Sequence, residues 1–153
     1  MTVEERVQKA LDNHVNGCNC AQAVLCAYCD LFGIDEDTAY RIAEPFGRGN
    51  GDRTGMCGAI TGALMAAGPA FSEGKAARGN KKETYDVAAG IVSAFKEKNG
   101  SVICRELKGI DGGKPLRSCM GCIEDAARIA GEILNEQKKS VPLTNPEKNP
   151  DLL

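Results

Sequence analysis

The chain has 153 residues, a formal net charge of −2 and eight cysteines, a length that makes one domain able to fold without disulfide or metal staples. With no basic stripe, it is not expected to bind nucleic acid. Residues Met1 to Arg6 hold no apolar signal region and Ala59 to Phe71 is too short to span a bilayer, so a cytoplasmic protein without membrane insertion is expected.

Thr2-Val3-Glu4-Glu5 reads as a capping box, and Val3, Val7, Ala10, Leu11 and Val15 recur behind it at helical spacing until Gly17 breaks the chain. A second helix starts at Asn19 or Cys20 and carries Ala21, Val24, Leu25, Tyr28, Leu31 and Phe32 to a stop at Gly33. Asp35 caps a third, with Ala39, Ile42 and Ala43 inward, which closes before Pro45. A loop with Gly47, Gly49, Gly51 and Gly55 then feeds a helix of very small residues from Cys57 to Ala67. Gly58 and Gly62 share one face of it. Glycine costs ~1 kcal/mol against alanine inside a helix, so two of them imply a close backbone approach at the centre of the bundle.

Asn80 to Lys98 forms a further helix with Tyr85, Val87, Ala88, Ile91, Val92 and Phe95 as its apolar set, stopped by Gly100. Ser101 to Leu107 is one short turn or helix. Ser118 caps the last helix, which runs through Ile123, Ala126, Ala127, Ile129, Ala130, Ile133 and Leu134. Residues 140–153, with Pro142, Pro146 and Pro150, read as an extended or disordered tail. No stretch alternates apolar with polar residues. The expected fold is an all-α, single-domain bundle of about six helices over residues 1–139.

Cys20, Cys57, Cys104 and Cys119 each stand where a helix begins. The first turn of a helix carries unpaired N–H groups and a partial positive charge, which favours the thiolate, the form that binds metal and attacks disulfides. One cysteine per segment does not match a zinc ribbon. It suits a site closed by tertiary folding, as when bundles collect inward ligands from separate helices. A buried cysteine is otherwise a small hydrophobe, which accounts for one such residue better than for four.

Cys119-Met120-Gly121-Cys122 opens a helix in the manner of a redox CxxC, so dithiol exchange centred on Cys119 and Cys122, or on Cys57 with a partner sulfur, is the alternative. Cys26-Ala27-Tyr28-Cys29 falls inside a helix and reads as packing, and Cys18 as an accessory thiol. Arg105 and Arg117 lie near cysteines no more often than chance provides. His14, the single histidine, reads as surface, and one histidine excludes a bundle with two Glu-x-x-His motifs. The run Gly47-Arg48-Gly49-Asn50-Gly51 lacks both the preceding strand and the order of a phosphate-binding fingerprint. Lys75, Arg78, Lys81 and Lys82 read as a solvated face.

Gly17-Cys18-Asn19-Cys20-Ala21-Gln22-Ala23-Val24, Cys57-Gly58-Ala59-Ile60-Thr61-Gly62-Ala63, Cys104-Arg105-Glu106-Leu107, and Cys119 before Ile123-Glu124-Asp125-Ala126-Ala127 stand in this order. Together they resemble the C_GCAxxG_C_C family of redox-active proteins, named for a CGAxxG motif and four cysteines. The resemblance runs from about residue 5 to 135. Carried over, the family cysteines are Cys20, Cys57, Cys104 and Cys119; Cys18, Cys26, Cys29 and Cys122 are additions, and the loop before Cys57 departs from the usual form. The resemblance implies a helical fold and redox activity.

A similar domain in split-Soret cytochromes holds an iron–sulfur centre. The implied cofactor is an iron–sulfur cluster, of the 2Fe–2S type, on Cys20, Cys57, Cys104 and Cys119, serving electron transfer or redox sensing with a redox partner protein. If the chain is an enzyme, it is an oxidoreductase. A metal-free thiol–disulfide oxidoreductase and a structural zinc module are the alternatives, and homodimerisation is left open.

Overall fold

Caps set the helix starts. Thr2 and Glu5 close a reciprocal capping box at the first helix, and Asn19 and Gln22 close another at the second. The Asp35 side chain accepts from Thr38 N at the third. A computed structural model describes residues 1–77 and 80–140; the expectations for Arg78 and for the tail beyond Ser140 lie outside the described residues. The helices are α1 (Val3–Val15), α2 (Cys20–Cys26), α3 (Glu36–Ala43), α4 (Gly58–Phe71), α5 (Lys82–Asn99), α6 (Cys104–Lys108) and α7 (Cys119–Ser140).

Among the described residues there is no strand, only an isolated antiparallel bridge between Met56 and Ile103. The fold is an all-α bundle, as the missing alternation implied. No helix among the described residues is long and apolar enough to cross a membrane.

The glycine face of α4 does what its composition suggested. A Cβ at Gly62 would lie 2.7 Å from Ala21 O, and one at Gly58 would lie 2.8 Å from Phe46 O. The start of α2 therefore presses directly on α4, which also packs against α5 and α7. Around it, Tyr28, Ile60, Ile91, Phe95, Ile123 and Leu134 are fully buried. α1 covers α2 and α7. Its buried Arg6 donates to Ala27 O at 2.7 Å and pairs with Asp30, fixing the far end of α2.

Three expectations need correction. The second helix stops at Cys26, and a tight turn leads to a 3₁₀ segment, Cys29–Phe32, ended by left-handed Gly33 at φ +68°. Cys26 and Cys29 thus straddle a helix end instead of lying inside one. Just past the break, the Tyr28 hydroxyl donates to Ala127 O at 2.6 Å, drawing the chain onto α7. Ile42, assigned inward, is 51% exposed, and Tyr85, placed in the apolar set of its helix, is 65% exposed. The short α3 buries only the stripe of Ala39 and Ala43, and Ile42 falls beside it. α3 does close before Pro45, at Ala43, but not because the proline forces its neighbour out of the helical region. Glu44 keeps φ −53° and ψ −46°, and the chain continues into a 3₁₀ turn, Glu44–Phe46, with the proline near its start, where a missing N–H costs nothing.

Candidate functional site

Each cysteine at a helix start is fixed by local backbone bonding. Asn19 holds Cys20 as the first residue of α2. The Cys57 carbonyl accepts from Ile60 N and Thr61 N, making Cys57 the cap of α4. Cys57 N donates to Val102 O at 2.8 Å, and Cys104 N to Gly55 O at 3.0 Å. These bonds flank the Met56–Ile103 bridge and set Cys57 and Cys104 alongside each other. Gly49, at φ +55°, passes so close that a Cβ there would lie 2.5 Å from Cys104 Cβ. This is the close approach for which the loop needs glycine. At α7, Ser118 Oγ accepts from Gly121 N at 3.0 Å, which starts that helix at Cys119.

All four of these cysteines line one cavity of about 130 Å³, joined by Cys122 and by Asn19, His14, Arg48, Lys108 and Arg117. Cys57, Cys104 and Cys122 are buried, while Cys20 and Cys119 are partly exposed. Within this group Cys20 is in hydrogen-bond reach of Cys119, and Cys57 of Cys122. The CxxC cysteines therefore face two different helices.

The pairing decides where the protons sit. Cys119 is held down to about 5, chiefly because Cys20 donates to it and then because Lys108 does, and together they outweigh partial burial. Cys20 is correspondingly pushed far up, first by giving its proton to that bond and then by burial. Cys57 is lowered by the Cys122 thiol, with further donation from Ala59 N–H and Ile60 N–H at the start of α4. Cys122 is raised by the same bond and by burial. Cys104 is raised, burial leading. Lowered thiols thus stand at Cys57, where N–H groups of the α4 start contribute, and at Cys119, where Cys20 and Lys108 do the lowering, whereas Cys20 and Cys104 are raised.

The cation at the thiols is one that the sequence did not single out. Lys108 lies four residues after Cys104, so α6 presents both on one side, and it donates to Cys119. That i, i+4 spacing was the available signal. The two flanking arginines are committed to carboxylates: Arg105 to Asp111 at 2.7 Å, and Arg117 to Asp125 at 3.0 Å. His14 is not simply surface, since it lines the cavity from α1 with Nδ1 2.8 Å from Cys18 O.

The remaining cysteines lie outside the cavity lining. Cys26 donates to Glu36 O at 3.9 Å and Cys29 to Cys26 O at 3.5 Å. Burial, with Cys18 and Cys29 nearby, pushes the Cys26 thiol up to about 12, so this group is built as thiols. Among the described residues no three His, Cys, Asp or Glu side chains surround a single metal position.

A protein-family model described as "Putative redox-active protein (C_GCAxxG_C_C)" matches residues 18–133. The chain belongs to this family. No curated protein and no solved structure matches it significantly. The C_GCAxxG_C_C match spans every cysteine of the chain and every cavity residue except His14. The redox-active, cysteine-rich character of the family thus coincides with one place in the fold, where five sulfurs meet.

Proposed function

We propose that this protein is an electron carrier or redox sensor whose cavity thiolates hold an iron–sulfur centre. One observation carries the reading: cysteines from four separate helix starts, Cys20, Cys57, Cys104 and Cys119, open onto one cavity together with Cys122. The donor chemistry fits, because such clusters are held by four thiolates and the cavity offers five. When bound, the cluster supplies a one-electron centre. The protein's own part is to present its sulfurs as thiolates and to shield them in a half-closed pocket. The N–H groups of Ala59 and Ile60, aimed at Cys57, would help set the potential.

Anaerobically purified protein should be brown, with near-stoichiometric iron and sulfide, and Cys57→Ser should bleach it. Colourless protein with neither iron nor sulfide removes this reading, and zinc in their place points to a structural ion.

A second reading is favoured by the low proton affinity of Cys119 beside Cys20. The Cys119 thiolate would attack a partner protein's disulfide, forming a mixed disulfide and releasing one partner thiolate. Cys20, losing its proton, would then attack Cys119 and release the second. The partner gains two electrons and two thiols, and Cys20–Cys119 becomes a disulfide. Mild oxidation should then remove two titratable thiols reversibly, and an unchanged count rules this out.

A further inference from the structure

Five cavity thiols are one more than a four-thiolate centre uses, and the positions of the sulfurs identify the odd one. We infer that the working thiols form two half-sites, Cys20 with Cys119 and Cys57 with Cys122, and that Cys104 stands outside both although it is a family cysteine. The inference rests on the reading of this cavity as the redox site. It replaces Cys104 with Cys122 in the ligand set expected from the resemblance.

The half-sites follow from how three helices meet. Cys119 and Cys122, three residues apart in the first turn of α7, are neighbours on its surface, so α7 gives one sulfur to each pair. Cys119 reaches the start of α2 at Cys20, and Cys122 reaches the start of α4 at Cys57. The start of α2 comes close beside Cys57 at Gly58, where a Cβ would lie 3.2 Å from Ala21 N and 3.4 Å from Cys20 Cβ. Cys104 is set by the Gly49 loop and the Met56–Ile103 bridge. The Cys57 and Cys119 sulfurs lie near enough to help raise its thiol, but the leading influence on it is burial and not a sulfur partner.

Two thiolates on one tetrahedral ion lie about 3.8 Å apart, close to the separation of hydrogen-bonded sulfurs. A 2Fe–2S cluster takes its thiolates two to each iron. Thiols offered two at a time suit such a binuclear centre, whereas three or four sulfurs round one ion would suit a mononuclear one. In the metal-free protein the same pairs are those positioned to close. Each pair gives two electrons and two protons to a small disulfide oxidant, which leaves as two thiols while one S–S bond forms in the protein.

The test has two arms. Metal-free full-length protein is oxidised with dipyridyl disulfide and its cross-links mapped by mass spectrometry, with cleavage at Met120 separating Cys119 from Cys122. Cys20–Cys119 and Cys57–Cys122 are expected, and a dominant Cys119–Cys122 bond or a bond to Cys104 overturns the inference. In the second arm, Cys104→Ser and Cys122→Ser are prepared anaerobically and assayed for iron, sulfide and visible absorption. Cys104→Ser should keep most of the wild-type iron while Cys122→Ser loses most of it, and the reverse order overturns the assignment. Should wild type carry no iron, the cluster reading falls while the cross-link map still decides the pairing. The map also decides if Cys122→Ser fails to fold by circular dichroism.

Discussion

At Cys119 two hydrogen-bond donors compete with partial burial, and the donors win. In the metal-free protein the thiolate should persist to about pH 5, whereas an ordinary cysteine titrates near 8.5. Iodoacetamide should therefore alkylate Cys119 at pH 6, and its rate profile should turn near pH 5. Cys20→Ala should shift that profile upward further than Lys108→Met, because Cys20 is the larger cause. The opposite order would assign the control to Lys108.

The stability sign follows from the same pair. Between about pH 5 and 8.5 the folded Cys20–Cys119 pair holds one proton where the unfolded chain holds two. The stability it contributes falls as pH drops through that window. Lys108→Met should flatten the dependence of the urea midpoint on pH there.

Within single helices the small-residue face of α4 sets how near α2 can come, and hence where Cys20 stands. Gly62→Ala would drive a Cβ to 2.7 Å from Ala21 O and 3.0 Å from Val24 Cβ, backbone and β-branched atoms that cannot swing aside. The cost expected from overpacking is about 1–3 kcal/mol, read from urea unfolding. Gly90 in α5 makes the matched control. Nothing among the described residues lies within 4 Å of its missing Cβ, so Gly90→Ala should stabilise by about 0.5–1 kcal/mol. If the two substitutions had equal effects, close packing would not be what the α4 glycines provide. This much was legible beforehand, because two glycines on one helix face have a price unless another backbone uses the room. The end of α2 was not, since Tyr28 is pulled out of helical continuation by a bond to Ala127 remote in sequence.

Across the whole molecule, what could be read in advance was local and what could not was relational. Caps and glycine stops lie within a few residues of what they govern, so the cysteines at helix starts were visible as such. That they share a cavity depends on pairings such as Met56 with Ile103, which leave no mark in either segment alone. His14 read as a surface residue and Lys108 was not singled out, because a side chain aimed at a cavity mouth has the same helical spacing as a solvent-facing one. Cys122 was visible only as a CxxC partner of Cys119, whereas the fold turns it to Cys57.

Asp125 is another relational residue. Its side chain is 1% exposed, and it accepts from Lys98 at 2.6 Å, Asn99 at 3.1 Å and Arg117 at 3.0 Å. It thereby ties the end of α5 and the approach to Cys119 into α7. Gly121 makes this possible, because a Cβ there would occupy the place of the Arg117 side chain. Asp125→Ala strands the buried Asn99 amide, frees Lys98 and leaves Arg117 with only Glu124, 3.6 Å away. Lys98 and Arg117 can regain water, so the expected loss is about 2–4 kcal/mol, toward the lower part of the range for breaking a buried pair.

Burial pushes the Asp125 carboxyl up, but its three donors hold it below the usual carboxylate range. Its contribution is therefore complete above the unfolded value of about 3.9 and disappears only as pH falls below it. The wild-type and Asp125→Ala urea midpoints should differ at pH 7 and converge only as pH falls below the usual carboxylate range. Equal midpoints at pH 7 would mean that this carboxylate does not hold α5 to α7.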